Sequence, residues 1–488
     1  MLFSSTEFIF AFFPIVFFGY YLIANRIGAV VSRSFLVAAS LFFYAWWKPI
    51  YLPLILASIA VNYLIGRQLV SGPKDSIKKN KTMLIVGICF NLGLLGYFKY
   101  SWFIVETVAI VTGSGFRIEP LLLPLAISFF TFQQIAFLTD AYAGKVKDFR
   151  FSTYALFVSF FPQLIAGPIV HHSEMMPQFE ANRRKWPAWE NLQQGLQIFI
   201  IGLAKKLVIA DTLAVYADQG WSDVSQLSFW GAWATSLCYT FQLYFDFSGY
   251  SDMAIGCAKA FGINLPINFN SPYKARNIQD FWARWHMTLS RWLRDYLYIP
   301  LGGNRKGEAR TYRNLFIVFL LGGIWHGAGW TFIVWGVLHG VGSMFFRVWQ
   351  KMKMPMPSVV AWLITFIYAH IGWVFFRAPN VSEGWSMLKR LFAVDVGISL
   401  QSLIRWCESF VDGEWLLRQG GGYFPTHVGV YLIVTAAVAF FAKNSIELAI
   451  KSKPRRPVLS GIFYAFVAFV SLIISIRATE SPFLYFNF

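Results

Sequence analysis

Five ionisable side chains stand out because the sequence around each of them is largely apolar. They are Asp246, Asp252, His286, His326 and His339. An ionisable group inside a membrane is costly, so it usually faces the protein interior or a wet cavity and marks a functional position. A neutral imidazole in such surroundings can take a proton from a hydroxyl group. General acid–base catalysis is therefore the chemistry that this set predicts.

His326 is the strongest candidate because of its neighbours. It lies in GGIWHGAGW, within the long apolar stretch 315–349. Glycines on both sides let a ligand or another backbone come close, and they weaken the helix there. Burial should keep the imidazole uncharged and able to act as a base. The alternative is a core histidine that is hydrogen-bonded to a neighbouring helix.

Each of the other candidates also has a structural interpretation, in which it has no part in catalysis. His286 lies among tryptophans and could simply anchor an interfacial helix, and His339 could be a packing residue. Asp246 and Asp252 belong to YFDFSGYSDMAIG, where polar groups on adjacent turns also suit a helix that bonds to its neighbours. The histidines lack a spacing such as HxxxH, and Cys or Glu ligands are missing nearby, so no metal site is expected.

These residues belong to a chain whose composition is that of a membrane protein. Of its 488 residues, 57% are hydrophobic and 14% are charged, whereas soluble domains carry about 25% charged residues. Apolar runs recur from end to end, and we expect roughly 10 to 13 membrane segments, each of about 20 residues. The first, at residues 8–24, is expected to be retained because no positive charge precedes it.

The positive charges predict an orientation and argue against nucleic acid as a partner. Lys and Arg number 42 against 24 Asp and Glu, which gives a formal net charge of +18. They fall between apolar runs, where the positive-inside rule places them in the cytoplasm beside anionic lipid. The N-terminus is then expected to face outward. The basic clusters lie at residues 67–81, 145–150, 183–185, 274–313 and 451–456.

One apolar segment is interrupted in a way that a simple span is not. Residues 151–170 have basic loops on both sides and contain Pro162, Gly167 and Pro168. Broken backbone at membrane depth is tolerated only where protein buries it or a cavity wets it. This favours a re-entrant hairpin, and the alternative is a full span with an atypical loop charge.

A second segment combines aromatic and basic residues. In residues 274–300, large apolar residues recur at steps of three and four, with Arg284, Arg291 and Arg294 in the gaps. This pattern predicts a helix in the cytoplasmic interface, with its aromatic rings in lipid and its guanidinium groups near headgroups.

Six stretches run in order along most of the chain and together match one known family: residues 123–142, 160–179, 244–256, 268–305 (with RWHM), 322–340 (with WHG) and the C-terminal SPFLYFNF, 481–488. On these residues the chain resembles the membrane-bound O-acyltransferases (MBOAT), specifically the alginate O-acetyltransferase (AlgI-like) type. The resemblance implies an all-α, polytopic bundle of about 11 spans, with re-entrant and interfacial helices around a transmembrane tunnel. It also implies a single membrane domain over residues 1–488, with a catalytic core segment at 274–349.

The resemblance also implies roles for individual residues. His326, in WHG, corresponds to the essential histidine of the family. His286, in RWHM, corresponds to a second polar active-site position, which is Asn in some members and His in this branch. Four further residues are expected to support the site: Trp325, Asp246, Asp252 and Asn270.

The activity that the resemblance implies is O-acetylation of an exported polysaccharide of the alginate type. The acetyl group would come from a cytoplasmic thioester, either acetyl-CoA or a carrier-borne acetyl group, as co-substrate. His326 would act as general base or assist a relayed transfer, and His286 would orient the thioester or stabilise the oxyanion. No bound cofactor or metal is expected, since a thioester needs none.

The expected partners follow from that activity. They are the thioester donor, a periplasmic acetyltransferase-type protein, the polysaccharide acceptor and the lipid bilayer, in the inner membrane of a bacterium. Arg284, Arg291 and Arg294 could bind the anionic pantetheine donor, although the positive-inside rule alone would place them on the same face.

Two other functions remain open at this point. One is D-alanyl transfer from a carrier protein to teichoic acid, although LGGNR (301–305) and SPFLYFNF favour the acetyl type. The other is a transporter of polymer or ions, which predicts two related halves with matched broken helices. The sequence has no visible symmetry of that kind.

Overall fold

The computed structural model describes residues 1–72, 77–181, 186–393, 427–451, 457–477 and 483–484, and its regular elements in these ranges are helices. The basic cluster at 183–185, most of that at 451–456 and most of SPFLYFNF lie outside the described residues. The chain forms two compact units. The first comprises Met1–Leu203, Tyr250–Ile267 and Ala449–Asn487, and the second comprises Ala204–Gly249, Asn268–Leu448 and Phe488. The prediction of one domain with a core segment at 274–349 stays a prediction.

The first unit is built from helices that enclose buried polar contacts. Tyr154 Oη donates to Gln134 Oε1 at 2.8 Å, and Gln134 Nε2 donates to Ser58 Oγ at 2.7 Å. Polar groups in a membrane protein need such internal partners, because lipid offers none. The helices are α1 (Phe13–Arg26), α2 (Ala29–Ala45), α3 (Leu52–Ser71), α4 (Ile77–Leu95), α5 (Ser101–Thr112), α6 (Ile127–Tyr142), α7 (Phe151–Ser159), α8 (Phe161–Leu164), α9 (His172–Ala181), α10 (Trp189–Ala204) and the helix Pro457–Arg477.

The segment 151–170 is broken, as predicted. The helix α7 ends at Ser159, Phe160 has an extended ψ of 110°, and α8 follows with only 4 residues. At about 1.5 Å per residue neither helix can cross a hydrocarbon core of about 30 Å. Protein buries the break, since residues 153–170 are all buried. These observations exclude one continuous helical span and agree with the re-entrant interpretation.

The second unit carries most of the candidate residues. It contains the π-helical turns Lys205–Ala210 and Arg294–Tyr298. Its helices are α11 (Asp211–Ser222), α12 (Phe229–Ala260, whose residues from Tyr250 onward belong to the first unit), α13 (Ile278–Trp282), α14 (Met287–Leu293), α15 (Glu308–His326), α16 (Trp330–Met352), α17 (Ser358–Arg377), α18 (Val381–Phe392) and the helix His427–Phe441.

The helices α15 and α16 form a close antiparallel hairpin. At one end Glu308 pairs with Arg347 at 3.2 Å and with Lys351 at 2.7 Å. Along the hairpin, a Cβ on Gly336 would lie 2.7 Å from the Phe319 carbonyl oxygen, so only glycine permits this approach. The opposite end is the short turn 327–329, and α15 ends on His326. Of the glycines predicted to admit another backbone, Gly323 does so, since a Cβ there would lie 2.9 Å from the Gly336 Cα. His326 lies beside the turn.

The prediction of a single interfacial helix over residues 274–300 is wrong. The segment forms α13, α14 and a π-helical turn, with a break at His286. Phe281 and Trp285 are each 1% exposed and Trp292 is 8% exposed, so these rings pack in protein and not in lipid. Apolar periodicity identifies a face that avoids water, but it does not distinguish lipid from protein as the partner of that face.

The described residues confirm a helical, multi-pass membrane protein. Among the residues that the structure describes, six helices are long and apolar enough to cross a membrane, and Ala29–Ala45 and Val428–Phe441 are shorter apolar helices. The predicted total of about 11 spans, the tunnel and the orientation stay predictions. The six helices are Phe8–Arg26, Pro49–Ser71, Lys78–Thr112, Trp330–Met352, Ser358–Arg377 and Pro457–Arg477.

Candidate active site

His286 is held in a strained backbone conformation by the chain that precedes it. Its φ of 43° and ψ of 53° place it in the left-handed region, which is uncommon for a residue with a side chain and recurs at functional sites. The Met287 N–H donates to the Asn268 carbonyl at 3.0 Å, and Thr288 Oγ1 donates to Asn268 Oδ1 at 2.9 Å. Asn268 is completely buried. It is a supporting residue that the sequence did not single out.

The hydrogen bonds of His286 determine which nitrogen carries the proton. Its ring is 1% exposed, and burial lowers its pKa to about 3, so the imidazole is neutral near pH 7. Nδ1 accepts a long hydrogen bond of 3.4 Å from the Leu289 N–H. The proton must then reside on Nε2. Nε2 has no hydrogen-bond partner among the described residues, and it is therefore a buried N–H donor available to a substrate.

His326 lies against aromatic rings at the end of α15. Its side chain is 4% exposed. The imidazole centroid lies 5.0 Å from that of Trp325, 5.0 Å from that of Trp335 and 5.2 Å from that of Phe376, all in edge-to-face contacts. Such rings exclude bulk water from the imidazole and restrict its orientation. A neutral imidazole kept dry in this way suits a general base.

Trp325 connects the two candidate histidines. Its ring centroid is 6.4 Å from that of His286 and 5.0 Å from that of His326. Within the second unit, the fold thus brings together the RWHM and WHG motifs, which are separated in the sequence by the whole of α14 and α15. The proposed catalytic roles of both histidines and the supporting role of Trp325 stay predictions.

Asp246 belongs to a buried ion cluster next to this site. Lys206 Nζ lies 2.9 Å from Asp246 Oδ1 and 2.8 Å from Asp211 Oδ1. Asp246 is 2% exposed and Lys206 is 4% exposed. The next residue on α12, Phe247, packs its ring 4.8 Å from the ring of His286. The cluster therefore anchors α12 where that helix supports His286.

The sequence did not single out Lys206 and Asp211 as members of this cluster. The segment AKKLVIAD places a lysine pair inside an apolar run with an aspartate five residues after Lys206. That combination is a usable signal, because a lysine in an apolar run needs a carboxylate partner. The distant partner, Asp246, is identified only by the fold.

Two other residues predicted to support the site differ from Asp246: Asn270 in its exposure, and Asp252 in the unit to which it belongs. Asn270 is exposed, and its backbone N–H donates to the Arg284 carbonyl at 2.9 Å while Asn444 Nδ2 donates to its Oδ1 at 3.1 Å. Asp252 is buried, and it belongs to the first unit. The supporting roles of both residues stay predictions.

Two of the three arginines that were expected to bind a donor lie next to carboxylates. Arg284 Nε lies 2.7 Å from Asp280 Oδ1, and Arg294 Nε lies 2.7 Å from Asp295 Oδ1. Arg291 is half-buried on α14. Because adjacent carboxylates offset two of the charges, long-range attraction of an anionic donor is weakened there. The donor-binding role stays a prediction.

The described residues contain no group of three His, Cys, Asp or Glu side chains that could hold a metal ion. The candidate site is built from two histidines, aromatic rings and one ion cluster. The arrangement supplies a dry base and a separate N–H donor, which are the groups that acyl transfer to a hydroxyl requires.

Comparison with known proteins agrees with this chemistry. The model of the MBOAT (membrane-bound O-acyltransferase) family matches residues 45–381. The chain is 44% identical to the peptidoglycan O-acetyltransferase of Helicobacter pylori, over 100% of this chain and 98% of that protein. It is 41% identical to the probable alginate O-acetylase AlgI of Pseudomonas aeruginosa, over 80% of this chain and 75% of that one. It is 30% identical to the teichoic acid D-alanyltransferase of Bacillus subtilis, over 52% of this chain and 68% of that one.

Proposed function

Because the chain belongs to the membrane-bound O-acyltransferase family, and is therefore a membrane-embedded acyltransferase, we propose that it transfers acetyl groups for the O-acetylation of a polysaccharide outside the cytoplasm. The donor is a thioester supplied from the cytoplasm, either acetyl-CoA or a carrier-borne acetyl group. The observation that carries the proposal is the pair of buried histidines, His286 and His326, which both contact the Trp325 ring.

His326 acts on the acceptor hydroxyl in this proposal. The imidazole takes the hydroxyl proton as the oxygen attacks the thioester carbonyl carbon, and a tetrahedral intermediate forms. When the C–S bond breaks, the leaving thiolate takes that proton from the imidazolium. The products are an ester and a free thiol, and His326 returns to its neutral form.

His286 stabilises the charge that develops on the carbonyl oxygen. An N–H that is already fixed, buried and without a protein partner can donate to the oxyanion without first breaking another bond. The left-handed backbone and the two hydrogen bonds to Asn268 hold this donor in place. The ring stays neutral between pH 5 and 8, because its lowered pKa lies well below that range.

The variant His286→Gly tests this role. Glycine accepts the left-handed backbone, so the fold should persist, whereas the N–H donor is lost. We expect the turnover number to fall about 10²- to 10³-fold, as when an oxyanion donor is removed. His286→Asn should retain more activity, because asparagine tolerates this backbone region and its amide can donate.

A matched control is available in the same segment. Ser271 also has a positive φ, of 49°, and is buried. Ser271→Gly should leave the turnover number near that of the wild type. Equal losses in Ser271→Gly and His286→Gly would assign the effect to the backbone and would contradict the donor role.

The acceptor is a cell-envelope or exported polysaccharide in this proposal. The match over the whole chain to a peptidoglycan O-acetyltransferase supports peptidoglycan, and the match to alginate O-acetylases supports an alginate-type exopolysaccharide. Esters can be measured on both polymers in cells that lack the gene and carry either the wild type or His326→Ala. The true acceptor loses its acetyl groups without the wild-type gene. If neither polymer does, acetylation of these polysaccharides is ruled out.

The same membranes separate acetyl transfer from D-alanyl transfer. Membranes with the wild-type protein are incubated with labelled acetyl-CoA or with a labelled D-alanyl carrier protein. We expect capture of the acetyl label, since the match to a D-alanyltransferase covers only 52% of this chain. Capture of D-alanine alone would replace the acetyl proposal. A bacterial inner membrane and a periplasmic partner that completes the transfer are part of the same proposal.

A further inference from the structure

His339 is a completely buried histidine whose ring nitrogens have no partner. It is 0% exposed, and neither Nδ1 nor Nε2 has a hydrogen-bond partner among the described residues. Buried polar groups are almost always satisfied, and leaving one unsatisfied costs stability. A phenylalanine would fill similar space without that cost. The two nitrogens therefore need an explanation beyond packing.

Another histidine of the same unit shows the ordinary arrangement. His370, on α17, is 1% exposed. Its Nε2 lies 3.2 Å from Ser236 Oγ, and its Nδ1 lies 2.8 Å from Thr240 Oγ1. Both nitrogens of this histidine are thus satisfied within the protein. The unsatisfied state of His339 is not a general property of buried histidines in this fold.

Two tryptophans beside His339 are in the same state. The His339 ring centroid lies 4.9 Å from that of Trp282 and 4.7 Å from that of Trp335, and the two indoles lie 5.6 Å apart. The buried Nε1 atoms of both indoles also have no partner in the described part of the chain. Three mutually contacting rings therefore present four nitrogen atoms that lack partners. We call this group the ring triangle.

The ring triangle adjoins the candidate base. Trp335 contacts both His339 and His326, with ring centroids 4.7 Å and 5.0 Å away. Its orientation therefore affects the space available to the His326 imidazole. An interaction that holds the Trp335 indole in place also helps to position the His326 imidazole.

We infer that the ring triangle of Trp282, Trp335 and His339 is a buried hydration site, in which one water molecule fixes Trp335 against His326. The inference rests on the proposed function of His326. A buried water typically makes about three hydrogen bonds to otherwise unsatisfied groups. Here the two indole N–H groups donate to the water oxygen, and the water donates to the unprotonated nitrogen of His339. His339 is thus a positioning residue, which acts through Trp335.

The variant His339→Phe separates this role from packing. It keeps a ring of similar shape and removes both nitrogens, so thermal stability should stay the same or rise. We expect the turnover number to fall about 10- to 100-fold, since a misplacement of about 1 Å can cost about 100-fold. KM for the donor should stay unchanged. His339→Gln, which retains a donor and an acceptor, should recover part of the loss.

His370→Phe is the matched control, and it should behave in the opposite way. It leaves Ser236 and Thr240 without the imidazole, so thermal stability should fall. A density map that resolves ordered water should show a water among the three rings. Wild-type turnover in His339→Phe, or a map without that water, would overturn the inference. Retained activity in His326→Ala would contradict the proposed function itself, whereas retained activity in His339→Phe alone would contradict only the hydration site. The two failures can therefore be distinguished.

Discussion

His326→Ala is expected to abolish measurable acyl transfer while the protein stays abundant in membranes. Removing a general base costs about 10²- to 10⁴-fold in rate. The side chain lies at the end of α15, beside a turn, so its truncation leaves the glycine contacts of the α15–α16 hairpin intact. The measurement is ester formation on the polysaccharide, with protein abundance determined in the same membranes.

The control for this prediction is another buried histidine of the second unit. His370→Gln keeps a polar side chain opposite Ser236 and Thr240 and lies on α17, so most activity should remain. His326→Gln should be as inactive as His326→Ala, because an amide does not take up a proton near pH 7. Retained acetylation in both variants of His326 would remove the catalytic assignment.

Lys206→Met is expected to cause the largest loss of stability. The substitution leaves the Asp211 and Asp246 carboxylates without the ammonium group that lies 2.8 Å and 2.9 Å from them. Removing one partner of a buried ion pair typically costs about 3–5 kcal/mol in the free energy of unfolding. Activity should fall as well, because the cluster anchors α12 where Phe247 packs on His286. Thermal unfolding of the purified protein in nanodiscs measures the first effect.

Two comparisons make this prediction specific. Lys351→Met removes an ammonium group from an exposed pair with Glu308 and should change the unfolding midpoint little, because solvent screens such pairs. The triple variant Lys206→Met, Asp211→Asn, Asp246→Asn removes all three charges and should recover much of the lost stability, since no uncompensated charge stays buried. A single variant Lys206→Met as stable as the wild type would show that the cluster contributes nothing.

The candidate histidines and the buried ion cluster are separate groups of residues in the site. His326 and His286 are both buried and both contact the Trp325 indole, whereas the charged groups Lys206, Asp211 and Asp246 form their own cluster. Charges placed directly at the histidines would alter their proton affinity. Asp246 is one residue from Phe247, and Phe247 packs on His286, so the cluster supports the helix without placing a charge on the His286 ring.

The sequence by itself determined the class of protein and supplied the two candidate histidines. Composition alone requires a membrane setting, since 14% charged residues cannot cover a soluble surface of this size. His286 was brought forward by the resemblance of the RWHM motif, whereas His326 is visible from its neighbours because it is a histidine in an apolar run. For the same reason, the break within residues 151–170 could be predicted from its prolines and glycine.

The tertiary structure alone decided which groups meet. It places the aromatic stripe of residues 274–300 in protein, makes Asn268 the support of the His286 loop, and joins Lys206 to Asp246. It also shows that His370 is satisfied and His339 is not, although both are buried histidines on apolar helices. The physical reason is that hydrogen bonds, ion pairs and ring contacts depend on distances between residues far apart in the chain, whereas hydrophobicity and helix breaks depend on neighbours along it.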